Sequence, residues 1–226
     1  MISTIGFDAD DTLWHNESIF HLTQTQFYTL LKDYGERDHM MARLFEVERR
    51  NLGIYGYGVK GFTLSMIETA IDLTRGAVPA KTIEQILALG RAMLEHPVEP
   101  LPGTQETLAQ LKGRYRLIMI TKGDLLNQEQ KLARSGLGDY FDAIEIVSEK
   151  DASTYRRIFR EPERAAMIGN SMRSDILPAI EAGLWAVHIP YHLTWAHEHA
   201  EPPADSPRYV KLDTIAEVPA WLAAHD

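Results

Sequence analysis

Apolar residues gather into short runs bounded by polar or turn residues. Five runs, 2–7, 116–121 ("RLIMIT"), 143–147 ("AIEIV"), 165–169 ("AAMIG") and 185–190 ("WAVHIP"), have the length and β-branched content of buried strands. A weaker sixth candidate is 209–212. Between them the spacing turns helical. Leu108 and Leu111 mark a helix over 104–111, Leu125, Leu126 and Leu132 one over 125–135, and Ile176, Ala179 and Ile180 share a face over 175–182. Strand–helix alternation over 104–190 predicts βαβ units and a parallel sheet, and such sheets bind ligands beyond the carboxyl ends of their strands.

Residues 15–98 break this rhythm. Ile19, Leu22, Phe27, Leu30 and Leu31, then Ile83, Ile86, Leu87 and Leu89, keep helical periods, and helices are predicted over about 19–33, 37–51, 62–75 and 80–96. "HPVEPLPGT", 96–104, has three prolines and reads as the return linker. "LGIYGYGVKG", 52–61, has four glycines and two tyrosines and reads as a flexible loop within the helical insert. The expected organisation is α/β, with a parallel-sheet core from 1–14 and 99–226 and an all-helical insert from 15–98.

Composition narrows the class. The 226 residues are 45% hydrophobic and 24% charged, so a packed core is expected rather than disorder. A net charge of −9 disfavours nonspecific binding to nucleic acid or anionic membrane. There is no cysteine, which removes disulfides and thiolate metal sites. The N-terminus lacks the basic and apolar stretches of a signal peptide, and no apolar run nears the ~18 residues of a membrane span. A cytoplasmic protein without nucleic-acid or membrane partners is expected, as monomer or homodimer.

The candidate chemistry sits at strand ends. "IGFDADDTLW", 5–14, crowds Asp8, Asp10 and Asp11 into four positions after the first strand. One reading is a solvated acidic turn. The other is a site for something cationic, because paired carboxylates bind Mg²⁺, an Asp can attack phosphorus, and a second Asp can act as general acid and base. Thr121, Lys122 and Gly123 follow the second strand, where a hydroxyl and free backbone N–H groups suit phosphate oxygens; in the plainer reading this is a turn with Asp124 capping the next helix. Lys150 follows the third strand and can neutralise a transferring phosphoryl group; in the plainer reading it is a solvated surface lysine. Asn170 and Asp175 follow the fourth and offer oxygens to Mg²⁺, or else form a turn with Ser171 as its cap.

Four such motifs in this order resemble the haloacid dehalogenase-like hydrolase superfamily, over nearly the whole chain. "DADDT" is similar to its first motif, Thr121 to the second, Lys150 to the third and "GNSMRSD" to the fourth, while "PLPGT" resembles the usual re-entry after a helical cap. The resemblance implies a Rossmann-like core with a helical cap, Asp8 as nucleophile, Asp10 as acid/base, Thr121 on the phosphoryl group and Lys150 supporting both. It implies Mg²⁺ held among Asp8, the Asp10 carbonyl and the fourth motif through Asn170 and Asp175. The fourth motif commonly begins Gly-Asp, and here it is Gly169-Asn170. Asp10 favours a phosphatase of a small phosphorylated metabolite over a dehalogenase, because a phosphate-ester oxygen needs a proton on leaving. A phosphosugar mutase or a non-catalytic ligand-binding relative are the other readings.

Two further stretches carry expectations. Arg49, Arg50, Tyr55, Tyr57 and Lys60 lie in or near the glycine-rich loop, and Tyr57 and Lys60 are candidate substrate contacts if that loop closes over the site. Otherwise it is a surface loop. "YHLTWAHEHAE", 191–201, carries His192, His197 and His199, which invite a zinc reading, but the spacing matches no recognised ligand pattern. A strand-end loop near the active-site rim, with Trp195 packed inward, is expected instead.

Overall fold

The computed structural model describes residues 1–225. Six strands, β1 (Thr4–Phe7), β2 (Arg116–Lys122), β3 (Ala143–Val147), β4 (Ala165–Gly169), β5 (Trp185–His188) and β6 (Tyr209–Lys211), form one sheet in the order β3-β2-β1-β4-β5-β6. Every pairing is parallel. The α/β architecture expected from the alternating pattern is therefore present, and 209–212 does contribute a strand.

The strands read as unbroken apolar runs because both faces of the sheet are covered. Along β2, Leu117 and Met119 join one buried cluster with Ile5, Phe7, Ala166 and Ile168. Ile118 and Ile120 join the other with Met167, Tyr155 and Phe159. The period of two thus divides one strand between two cores. Gly6 allows the second face to close, since a Cβ there would lie 2.7 Å from the Phe159 ring.

Chain order decides where the site falls. From β1 the chain builds outward through β2 to β3, then returns to the other side of β1 with β4. The register pairs Phe7 with Met119 and with Ile168, so β1 ends between the ends of its neighbours. That reversal opens a crevice at the carboxyl ends of these strands.

The chain divides into two compact units. One is Met1–Glu17, Val98–Lys122 and Gln128–Asp226, and the other is Ser18–Pro97 with Gly123–Asn127. The sheet unit is flanked by α5 (Thr104–Leu111), α7 (Ala152–Ile158), α8 (Leu177–Glu181) and α9 (Val218–Ala223). The helical unit holds most of α1 (Glu17–Leu31), with α2 (Arg37–Tyr55), α3 (Val59–Leu73) and α4 (Ala80–Glu95), around Phe27, Leu44, Phe62, Met66 and Ile86. α6 (Leu125–Ser135) begins in the second unit and continues in the first.

The structure corrects several expectations. The stretch 52–61 is not a long loop: α2 runs on to Tyr55, only Gly56–Gly58 lie outside a helix, and α3 starts at Val59. Gly56 and Gly58 turn the chain at φ 72° and 109°, which favours glycine, whereas Gly53 and Gly61 sit inside helices. Gly61 is tolerated there because α3 packs closely: a Cβ would lie 2.9 Å from the Gly56 carbonyl oxygen. The helix expected over 175–182 is a π-helical turn, Met172–Ile176, running into α8. Helices α7 and α9 were not anticipated. Among the described residues no helix is long and apolar enough to cross a membrane.

Candidate active site

Asp8 is the first residue beyond β1, and its N–H still donates to the Ile168 carbonyl of β4 at 2.9 Å. The residue is 6% exposed. One carboxylate oxygen pairs with the Lys150 ammonium, and the other accepts the Thr12 hydroxyl at 2.8 Å. Lys150 is itself buried and reaches Asp175 at 2.7 Å. The second oxygen of Asp175 accepts the Ser171 N–H at 2.9 Å. A carboxylate fits there only because residue 169 is glycine, as a Cβ would lie 2.3 Å from Asp175 Oδ2.

Two buried carboxylates therefore share one ammonium. Burial, reinforced by the charge of Asp175, pushes Asp8 up to about 7 against the pull of Lys150. Burial opposes the charge on Lys150 too, but the two carboxylates outweigh it and hold its pKa above the ordinary lysine range.

Asp10 points elsewhere. Its Oδ1 accepts Trp14 Nε1 at 2.6 Å and Lys131 Nζ at 2.8 Å, and its Oδ2 accepts Gln128 Nε2 at 2.9 Å. Burial opposes ionisation, but the Lys131 charge and these hydrogen bonds prevail and hold the carboxyl below its usual range. Asp11 has a third setting. At φ 64° it turns its carboxylate onto the N–H groups of Asn16 and Glu17, at 2.9 and 3.0 Å, and so caps the start of α1. Burial nevertheless raises it to about 7. The crowding in "DADDT" is thus relieved by three separate sets of donors.

Thr121 is buried at the end of β2, with its hydroxyl 3.3 Å from the Lys122 carbonyl. The Lys122 ammonium binds Ser174 at 2.8 Å and Glu198 at 2.9 Å. Asn170 is half-buried after β4, with its Oδ1 3.3 Å from the Thr12 hydroxyl that also bonds Asp8. Ser171 caps the π-helical turn by accepting the Ser174 N–H, and Asp124 accepts the Asn127 N–H, so both expected caps are present.

The remaining candidates fall in the helical unit. Gly123, at φ 132°, and Asp124 belong to it by their contacts, as do Tyr57 and Lys60. Lys60 pairs with Asp124 at 2.9 Å. Arg50 pairs with Glu68, and Arg49 lies over the Phe45 ring. The histidines of 191–201 find separate neighbours: His192 lies tilted against the Tyr191 ring, His197 against half-buried Trp195, and His199 meets the Thr194 carbonyl. Among the described residues no three His, Cys, Asp or Glu side chains gather into a metal cluster.

The sequence reading missed Thr12, Gln128, Lys131, Ser174 and Glu198. Gln128 and Lys131 stand three apart on one face of α6, so their shared face, though not their meeting with Asp10, was visible once the helix was placed. Glu198 gave no signal, because the irregular segment around Ala196–Glu198 has no period to read.

A family model described as haloacid dehalogenase-like hydrolase matches residues 2–183. The chain is a haloacid dehalogenase-like hydrolase. The resemblance carried by the strand-end motifs therefore holds. This hydrolase is similar to the solved structure of a haloacid dehalogenase-like family hydrolase from Xanthomonas campestris, at 44% identity and a TM-score of 0.89, covering 100% of this chain and 92% of that one. It is 28% identical to glyceraldehyde 3-phosphate phosphatase of Methanothermobacter thermautotrophicus, over 89% of this chain and 92% of the relative. It is 23% identical to human N-acylneuraminate-9-phosphatase, over 100% of this chain and 95% of the relative.

Proposed function

We propose that this hydrolase is a phosphatase that cleaves a small phosphorylated metabolite, with the helical insert serving as its substrate-selecting cap. The observation that carries the reading is the buried Asp8 carboxylate at the end of β1, paired with Lys150, with a second carboxylate two residues on. Asp8 attacks phosphorus, its oxygen–phosphorus bond forms, and the ester bond breaks. Asp10, taking up a proton from solvent against the pull of Lys131, gives that proton to the departing oxygen. Water then cleaves the aspartyl-phosphate and returns a proton to Asp10. Lys150 keeps Asp8 oriented and offsets charge gathering on the phosphoryl group, and Thr121 and the N–H groups after it bind phosphate oxygens. The phosphatase names of two relatives support hydrolysis over transfer or dehalogenation. Those names also favour a phosphorylated sugar or sugar-derived substrate.

The donor set fits Mg²⁺. One Thr12 hydroxyl lies within hydrogen-bonding distance of both Asp8 and Asn170, which brings two hard oxygens to one place. Both Asp175 oxygens are already engaged, by Lys150 and Ser171, so Asp175 suits holding Lys150 better than direct ligation. Asp8, the Asp10 carbonyl and Asn170 would hold the ion. Bound there, it would supply positive charge to the phosphoryl oxygens and lower the repulsion met by the attacking carboxylate.

The test is hydrolysis of p-nitrophenyl phosphate with and without Mg²⁺ by wild type and Asp8→Asn. Turnover that needs both Asp8 and the ion supports the reading. Turnover that survives Asp8→Asn refutes the aspartyl-phosphate route.

A further inference from the structure

Near the strand-end crevice lies an anion receptor already filled by the chain itself. The Lys122 ammonium, from the end of β2, binds Glu198 at 2.9 Å. The hydroxyls of Ser171 and Ser174, from the turn after β4, both donate to the other oxygen of Glu198. Lys122 also binds Ser174 at 2.8 Å, which makes the three donors one preorganised set. Arg173 holds the same segment through the His197 carbonyl at 3.0 Å. The pair is sheltered, with side chains 12% and 14% exposed, so solvent screens it far less than a surface ion pair.

The receptor adjoins the reacting groups on both sides. Gln128 bonds the Lys122 carbonyl and the Asp10 carboxylate with one amide, each at 2.9 Å. Ser171 follows Asn170 directly, and its N–H holds Asp175. A lysine and two hydroxyls beside a phosphoryl site would ordinarily attract a second anionic group of a substrate, such as a carboxylate. Glu198 occupies those donors and cancels the charge of Lys122.

We infer that Glu198 is a specificity residue that fills this receptor and turns the enzyme away from phosphate esters carrying a second anionic group, towards esters whose remainder is neutral. The inference rests on the phosphatase reading and narrows its substrate class. Like-charge exclusion of this kind selects by penalising the wrong substrate rather than by adding contacts to the right one.

The experiment compares kcat/KM for glycerol 3-phosphate, whose remainder is neutral, and 3-phosphoglycerate, which adds a carboxylate, with p-nitrophenyl phosphate as a general readout. Wild type is expected to favour glycerol 3-phosphate at least tenfold. Glu198→Gln keeps the size and one accepting oxygen but removes the negative charge set against Lys122, and is expected to shift the ratio at least tenfold towards 3-phosphoglycerate. Adding Lys122→Met should remove that shift. A wild-type preference for the carboxylated ester overturns the inference whether or not the variants fold. So does a ratio that Glu198→Gln leaves unchanged, or a shift that persists without Lys122. If wild type hydrolyses no phosphate ester, the phosphatase reading fails and this one with it; if it hydrolyses them with an unmoved ratio, only the role of Glu198 falls.

Discussion

Replacing the nucleophile candidate should make the protein more stable at neutral pH. Asp8 and Asp175 share the single charge of Lys150, and burial raises Asp8 to about 7, where an unfolded aspartate titrates near ~3.9. A carboxyl whose folded pKa lies above its unfolded one contributes stability below the unfolded value and loses it as pH rises through the folded value. Three units correspond to about 4 kcal/mol of destabilisation by pH 8. Asp8→Asn removes that titration and leaves Lys150 one to one with Asp175. The amide also gives up charge-assisted bonds to Lys150 and Thr12, at about 1 kcal/mol or more. The net expectation is a gain of about 2–3 kcal/mol at pH 7.5, shrinking to nothing near pH 4. Urea unfolding in EDTA measures it through tryptophan fluorescence, since Trp14, Trp185, Trp195 and Trp221 all lie in the sheet unit. With a slope of about 2–3 kcal/mol per molar urea, the midpoint should rise by about 1 M. A variant no more stable than wild type at pH 7.5, or a gain that is equal at pH 4, would refute the shared-charge argument.

Three other outcomes are expected. Mg²⁺ at ten times its dissociation constant should stabilise wild type by about 1.4 kcal/mol at pH 7.5 and Asp8→Asn by less, in the same urea assay. Gly169→Ala places a methyl where Asp175 Oδ2 sits at 2.3 Å, and should cost about 2–4 kcal/mol through overpacking and loss of the buried bonds to Lys150 and Ser171; a melting temperature within a degree of wild type would contradict this. Lys131→Met removes the cation that holds Asp10 ionised, so the Asp10 pKa rises, and the limb of the kcat/KM profile on which Asp10 must be protonated should move to higher pH. An unmoved profile would separate Asp10 from the proton transfers.

The strand ends that carry the candidate residues were the most legible part of the chain. Asp8, Thr121, Lys150 and Asn170 each follow a short apolar run, and a parallel sheet buried on both faces makes such runs stand out. The helical segments were misjudged where glycine count stood in for geometry. Gly53 and Gly61 lie within α2 and α3, and only Gly56 and Gly58 adopt the positive φ that ends a helix. Helices α7 and α9 are seven and six residues long, too short for a period to declare itself. The site was legible as a set of positions but not as pairings. Nothing in the spacing of Asp8, Asp10 and Asp11 says that the first meets Lys150, the second Lys131 and the third a helix start, because those partners are set by tertiary packing. Glu198 is the extreme case, an acidic residue in an irregular segment whose partners lie 24 to 76 positions away.

The central place of β1 also orders events during synthesis. Its first residue pairs with Arg116 on one side and Ala165 on the other. The segment that carries Asp8 therefore leaves the ribosome roughly 10–30 s before the second of its flanking strands exists, at ~5–20 residues per second. Closing those pairings spans the longest loops in the sheet, which makes sheet assembly slow and late. The intervening residues 18–97 supply nearly all of the helical unit from nearby sequence, so their contacts are available first. A nascent chain halted near residue 150 would hold the helical segments complete while "IGFDADDTLW" still waited for β4. The apolar β1 would then be open to other chains, and this is the interval in which a chaperone would have the most to protect.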